Sequence, residues 1–196
     1  MIPGALTPSG ALVLAAVAAA FVAFMTPTLI RWRRISRLLP LLSRRLGGTV
    51  SRWYGIDFES QARRGWIRFS LGTRRTPSST TISLDIGGAP EARLDLVRNG
   101  WWGRAFLKTR PVSGTAEVGA GPDWTLRAPP ALATKISRGS SRDLLQEALR
   151  NLPVHLMGRI RLEAGVLTYE CYGVPSREKD FAACLDTLQR IASAIG

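Results

Sequence analysis

The chain has 196 residues, 45% of them hydrophobic and 21% charged, a folded composition that excludes a disordered or low-complexity protein. Its net charge of +13 is local: residues 1–30 carry no charged side chain, residues 31–75 hold twelve basic residues against Asp57 and Glu59, and residues 76–196 hold fifteen basic against twelve acidic. Two cysteines, Cys171 and Cys184, are too few for a disulfide framework and read as buried, reduced thiols.

The chain opens on the uncharged run "SGALVLAAVAAAFVAFMTPTLI" (Ser9–Ile30). About 20 helical residues cover a hydrocarbon core of roughly 30 Å, so this run is long enough to span a membrane. Its many alanines suit close helix–helix packing, and Pro27 is expected to kink or loosen the last turn. A secretory signal would begin with a basic region, and no Lys or Arg precedes Arg31; a transit peptide would carry arginines inside the run. Residues 1–30 are therefore assigned as a retained single-pass transmembrane anchor.

Next comes "RWRRISRLLPLLSRR", a basic juxtamembrane segment assigned to residues 31–49. Arg31, Arg33, Arg34, Arg37, Arg44 and Arg45 lie close behind the span, and the positive-inside rule keeps such a flank in the cytoplasm. The N-terminus then faces out across a bacterial inner membrane, and the thiols sit in a reducing compartment. Apolar residues recur between the arginines at roughly helical spacing. Pro40 interrupts them, so a short amphipathic piece separate from the span is expected, followed by a turn at Gly47-Gly48. Trp32 stands where interfacial tryptophans anchor helices, and the arginines would attract anionic lipid headgroups. Docking on a larger membrane partner is the second reading of this segment. Nucleic-acid binding is set aside, because no zinc-finger spacing, RRM aromatic motif or KH-type loop accompanies the charge.

From residue 50 to 196 the pattern is that of one α+β domain. "GWIRFSLG", "TTISLDIG" and "EARLDLV" alternate apolar and polar residues as half-buried antiparallel strands, with Gly87-Gly88 and Pro90 turning between the last two. "RWYGIDF", "RAFLK" and "WTLRA" are further strand candidates. Asn99-Gly100 signals a turn, and Trp101-Trp102 follow it. Adjacent tryptophans are either core plugs or a contact patch for lipid or protein. "VSGTAEVGAGPD" (Val112–Asp123) reads as a Gly-rich loop without a phosphate-binding motif. Ser140 or Ser141 should cap the helix "RDLLQEALRNL", with Asp143 in its first turn. "GRIRLEAG" and "VLTYECYG" form a hairpin. A last helix to Ile195 buries Phe181, Cys184, Leu185, Leu188, Ile191, Ala192 and Ile195. Its other face, Arg177, Lys179, Asp180, Asp186, Gln189 and Arg190, reads as solvated. The expected architecture is one N-terminal transmembrane helix, then an antiparallel β-meander sheet packed by two C-terminal helices.

Catalytic signals are weak. His155 is the single histidine, no G-x-S-x-G elbow or CxxC pair occurs, and Asp57 and Glu59 share a strand face as ordinary surface acids do. The order of the meander, "WTLRAPP", "DLLQEAL", "IRLEAGVLTYECYG" and "DFAACLDTLQRIASAI" resembles the cytoplasmic domains of widespread, largely uncharacterised bacterial membrane-anchored proteins. That resemblance covers most of residues 50–196 and implies a fold without a catalytic motif. The function expected is that of a non-enzymatic, membrane-anchored accessory subunit of a larger bacterial inner-membrane complex, with an energy-transducing host, photosynthetic or respiratory, as one setting. The alternative is a free-standing lipid-binding or sensory module at the membrane surface. The partners expected are anionic lipid headgroups and transmembrane proteins, with no nucleic acid, no cofactor and no metal.

Overall fold

The computed structural model describes residues 8–51, 54–72, 77–88, 93–99, 115–121, 123–153 and 158–195. Helix α1 runs unbroken from Pro8 to Leu46, 39 residues with Pro27 and Pro40 inside it. The break expected at Pro40 is absent. A proline there removes the hydrogen bond to the carbonyl of Ser36, four residues back. Ser36 and Pro40 are both exposed, so the freed group faces outward rather than into a core.

Among the described residues nine strands follow in one antiparallel sheet: β1 (Thr49–Ser51), β2 (Gly55–Ser60), β3 (Arg63–Ser70), β4 (Ser79–Asp85), β5 (Leu94–Arg98), β6 (Ala116–Gly121), β7 (Trp124–Ala128), β8 (Gly158–Glu163) and β9 (Val166–Tyr172). Their spatial order is β1-β2-β3-β4-β9-β8-β5-β7-β6. Thus β1 to β4 form a meander, but β4 and β5 are not neighbours across the Gly87-Gly88 turn. The β8–β9 hairpin stands between them, with Ser79 to Asp85 paired to Tyr172 to Val166. The segment expected as a Gly-rich loop supplies β6 instead. Its small inward residues, Ala116, Val118 and Ala120, alternate too faintly to read as a strand.

One row of cross-strand partners explains the core. Ile56, Ile67, Ile82, Tyr169, Ile160, Leu96 and Leu126 face one another in turn across seven strands, all buried. The neighbouring row, Asp57, Trp66, Ser83, Thr168, Arg161, Asp95 and Arg127, points to the other side. A period of two on every strand thus makes one apolar and one polar face. Gly65 lies under the ring of Phe58, where a Cβ would come within 2.5 Å, and a Cβ at Gly158 would come within 2.7 Å of the ring of Tyr169.

The apolar face is covered by α2 (Pro130–Ile136), α3 (Gly139–Arg150), α4 (Glu178–Ile195) and the second half of α1, whose buried residues form one core with the strands. Helix α2 was not expected: Pro130 starts it at the first helical position, where a missing N–H costs nothing. Helix α3 begins at Gly139 after Arg138, so neither Ser140 nor Ser141 is its cap, and Asp143 lies past its first turn. On α4 the apolar stripe packs as expected, and Phe181 meets Phe69 edge to face at 5.9 Å. Asp180, expected in the solvated face, is buried.

Candidate functional site

Helix α1 is about 58 Å long at 1.5 Å per residue, and its environment changes halfway. From Leu12 to Ile30 the described side chains are exposed; Leu14 is 63% accessible. From Ile35 onward every third or fourth residue, Ile35, Leu38, Leu39 and Leu42, is buried in the domain core, with Leu42 at 1%. The first half is the one helix among the described residues long and apolar enough to cross a membrane. Its 19 residues from Leu12 to Ile30 rise about 28 Å, close to the roughly 30 Å of hydrocarbon in a bilayer.

The six collar arginines divide into two sets. Arg31 Nη1 donates to the Leu71 carbonyl at 3.3 Å, Arg34 Nη1 donates to the Val174 carbonyl at 3.3 Å, and Arg45 pairs with Glu178 at 3.1 Å. These three flank the buried stripe and fasten the helix to the end of β3, to the chain after β9 and to the first residue of α4. Arg33, Arg37 and Arg44, at i, i+4 and i+11, share the opposite face, are exposed, and make no hydrogen bond or ion pair among the described residues. Trp32, 42% accessible, and Leu41 are likewise bare. Leu38, Leu39 and Leu42, read from sequence as a surface for lipid or a partner, are instead seated on the chain's own sheet. The spacing Ile35, Leu38, Leu39, Leu42, Leu46 carries that signal, because it is the stripe of a helix packed on a domain. Trp101, Trp102 and His155 lie outside the described residues.

Among the described residues no three His, Cys, Asp or Glu side chains gather as a metal site. Both thiols are buried and free. Burial pushes the Cys171 thiol up to about 12 and raises Cys184 likewise, which makes both poor nucleophiles. On the polar face of the sheet, Arg159 grips Asp95 through two bonds of 2.6 Å, and this carboxylate holds the guanidinium's pKa above its ordinary value. Beside them an open hollow of about 230 Å³ is lined by Arg159, Arg161, Glu163, Val166, Thr168 and Glu170. Asp57 is kept below the usual carboxylate range by its hydrogen bond to Arg68. The described side chains of this face alternate in sign of charge, and the half-bare helix is the feature that calls for a function.

No family model and no curated protein sequence matches the chain. The fold is similar to that in the crystal structure of the mycobacterial trehalose monomycolate transport factor A, TtfA, with a TM-score of 0.61 over 83% of this chain and 94% of that one, at 12% identity. At this identity the likeness is one of fold.

Proposed function

We propose that this protein is a non-enzymatic, membrane-anchored accessory subunit that holds an α+β domain on the cytoplasmic side of a bacterial inner-membrane assembly. The observation that carries the reading is the exposed apolar half of α1. A bare helix of such length cannot face water at its full surface, and lipid or transmembrane protein must cover it. The continuity of α1 into the core favours a retained anchor over a cleaved signal, since removal of the span would cut inside a helix. The cluster of arginines at the end of the span favours the cytoplasmic side for the domain.

The likeness in fold to a factor named for transport of trehalose monomycolate favours a transport assembly as host over the energy-transducing one considered from sequence. Within it, the alanine-rich half of α1 would pack on a transporter's transmembrane helices while the domain meets its cytoplasmic side. Purification in mild detergent followed by mass spectrometry tests this. A polytopic transporter should co-elute in fixed stoichiometry, and a protein that runs alone as a monomer sinks the subunit reading.

A further inference from the structure

The register of the sheet gives the domain two ends. Ser70, Ser79 and Tyr172 are partners in turn, so the end of β3, the start of β4 and the end of β9 lie side by side. Tyr54 joins them, because its carbonyl accepts the Phe69 amide at 2.8 Å, and Gly173 donates to the Ser78 carbonyl at 2.7 Å. At the opposite end are the turn at Gln61 and Ala62, Asp85, and the turn at Ala164 and Gly165.

Helix α1 approaches the first of these ends. Arg31 directly follows Ile30, the last residue of the uncharged run, and its guanidinium reaches the Leu71 carbonyl. Side chains on a helix lean toward its N-terminus, here toward the apolar half. The Leu71 carbonyl is therefore level with the end of the span. Arg34, one turn further on, ties Val174 beside it. Because α1 is unbroken and its next turns are locked into the core by Ile35, Leu38, Leu39 and Leu42, the domain cannot swing away from this position.

We propose that the end of the domain formed by Tyr54, Leu71, Pro77 and Tyr172 rests on the headgroup layer of the bilayer that α1 enters. The occupant of this surface is lipid, because the surface is continuous with the span and lies at its polar boundary. Arg33 and Arg37, on the outward face of the same turns, supply the charge that meets lipid phosphates. The contact has an edge. Neighbouring strands rotate by about 20–25°, so the five steps from β3 to β7 turn the strand direction by about 100–125°. The far column, ending at Asp123, leaves the surface.

This inference rests on the anchor reading, and the test keeps the two apart. Single cysteines are placed in the full-length protein at Pro77, Glu163, Asp123 and Leu14, with the buried native thiols left unlabelled. Each variant carries bimane in vesicles of phosphatidylcholine and phosphatidylglycerol that contain a nitroxide-headgroup lipid, with a second set containing an acyl-chain nitroxide. Several-fold stronger headgroup quenching at residue 77 than at residues 163 and 123, with acyl-chain quenching at residue 14, is the expected result. Equal headgroup quenching at 77 and 163 with residue 14 still quenched would mean an inserted anchor and a domain that stands off, which overturns the inference alone. An unquenched residue 14 overturns the anchor reading and this inference with it.

Discussion

Leu14 and Leu42 belong to the same helix and have the same side chain, yet one is bare and the other is sealed in a core. The first half of α1 is apolar around its whole circumference; the second is apolar on one stripe and basic on the rest. Circumference decides the solvent. A helix apolar all round needs a medium that is apolar all round, whereas a striped helix is satisfied by one sheet face. The arginines mark where one requirement gives way to the other, and half of them also work as fasteners to the domain.

Truncation should give the largest contrast. Residues 31–196 should fold and stay soluble without the span, whereas residues 47–196 should not fold. Ile35, Leu38, Leu39 and Leu42 each contribute about 1.5–3 kcal/mol by burial, together about 6–12 kcal/mol. That is comparable with the whole stability of an ordinary domain, about 5–15 kcal/mol. Circular dichroism and denaturation of both fragments check this, and a cooperative transition in the shorter one would break the contrast. Single substitutions sharpen it: Leu42→Ala should cost the domain about 2–5 kcal/mol in urea titrations, while Leu14→Ala leaves the midpoint unmoved.

The outward arginines come next. Arg33→Glu, Arg37→Glu and Arg44→Glu together should leave domain stability unchanged but reverse or scramble topology, read by accessibility of an introduced exposed cysteine. In the proposed anchor the lost attraction to anionic headgroups would be about 1 kcal/mol for each Arg near the surface. A preserved topology would show that the inward set, or the span itself, sets the orientation.

The buried thiols report on the sealed half through pH. Their pKa values are raised in the folded state, Cys171 from 9.0 to about 12, so the stability they contribute is complete below the unfolded value and is lost as pH climbs through that window. Each thiol should lower stability by at most about 1.4 kcal/mol per pH unit there. Alkaline titration of the wild type against Cys171→Ala/Cys184→Ala should show a shallower decline in the variant. Equal slopes would mean that water reaches the thiols. The smallest effect is expected at the exposed pair: Arg45→Ala should cost 0 to about 1 kcal/mol, measured as a shift in denaturation midpoint.

Sequence made some of this plain. The long apolar helix, the alternating strands, the β8–β9 hairpin and the stripe on α4 all follow from period and length. Strand order did not, because alternation says which face a residue takes and nothing about its lateral neighbour; β9 beside β4 depends on pairings nearly ninety residues apart, such as the Ser83 and Thr168 hydroxyls. Pro40 does not break α1, because a proline on the open side of a helix seated on a core loses one bond and little else. The short helix α2 carries no apolar period long enough to read, and its start rests on Pro130 at the first helical position. In the candidate site the arginines were found by charge, but their division into inward and outward sets needed the phase of the helix relative to the sheet, which Ile35 and Leu42 carry and the charges do not.

The unbroken run of α1 through both environments has a mechanical consequence. A helix locked to a sheet at one end is an axle, and the sheet is its vane. Whichever side of the bare half a neighbouring protein grips fixes the compass bearing of all nine strands. Rolling the helix by one residue position, about 100°, would present a different edge of the domain to whatever lies alongside. Identical spans inserted at the same depth could thus aim the same domain at different targets, and the choice would be made inside the membrane.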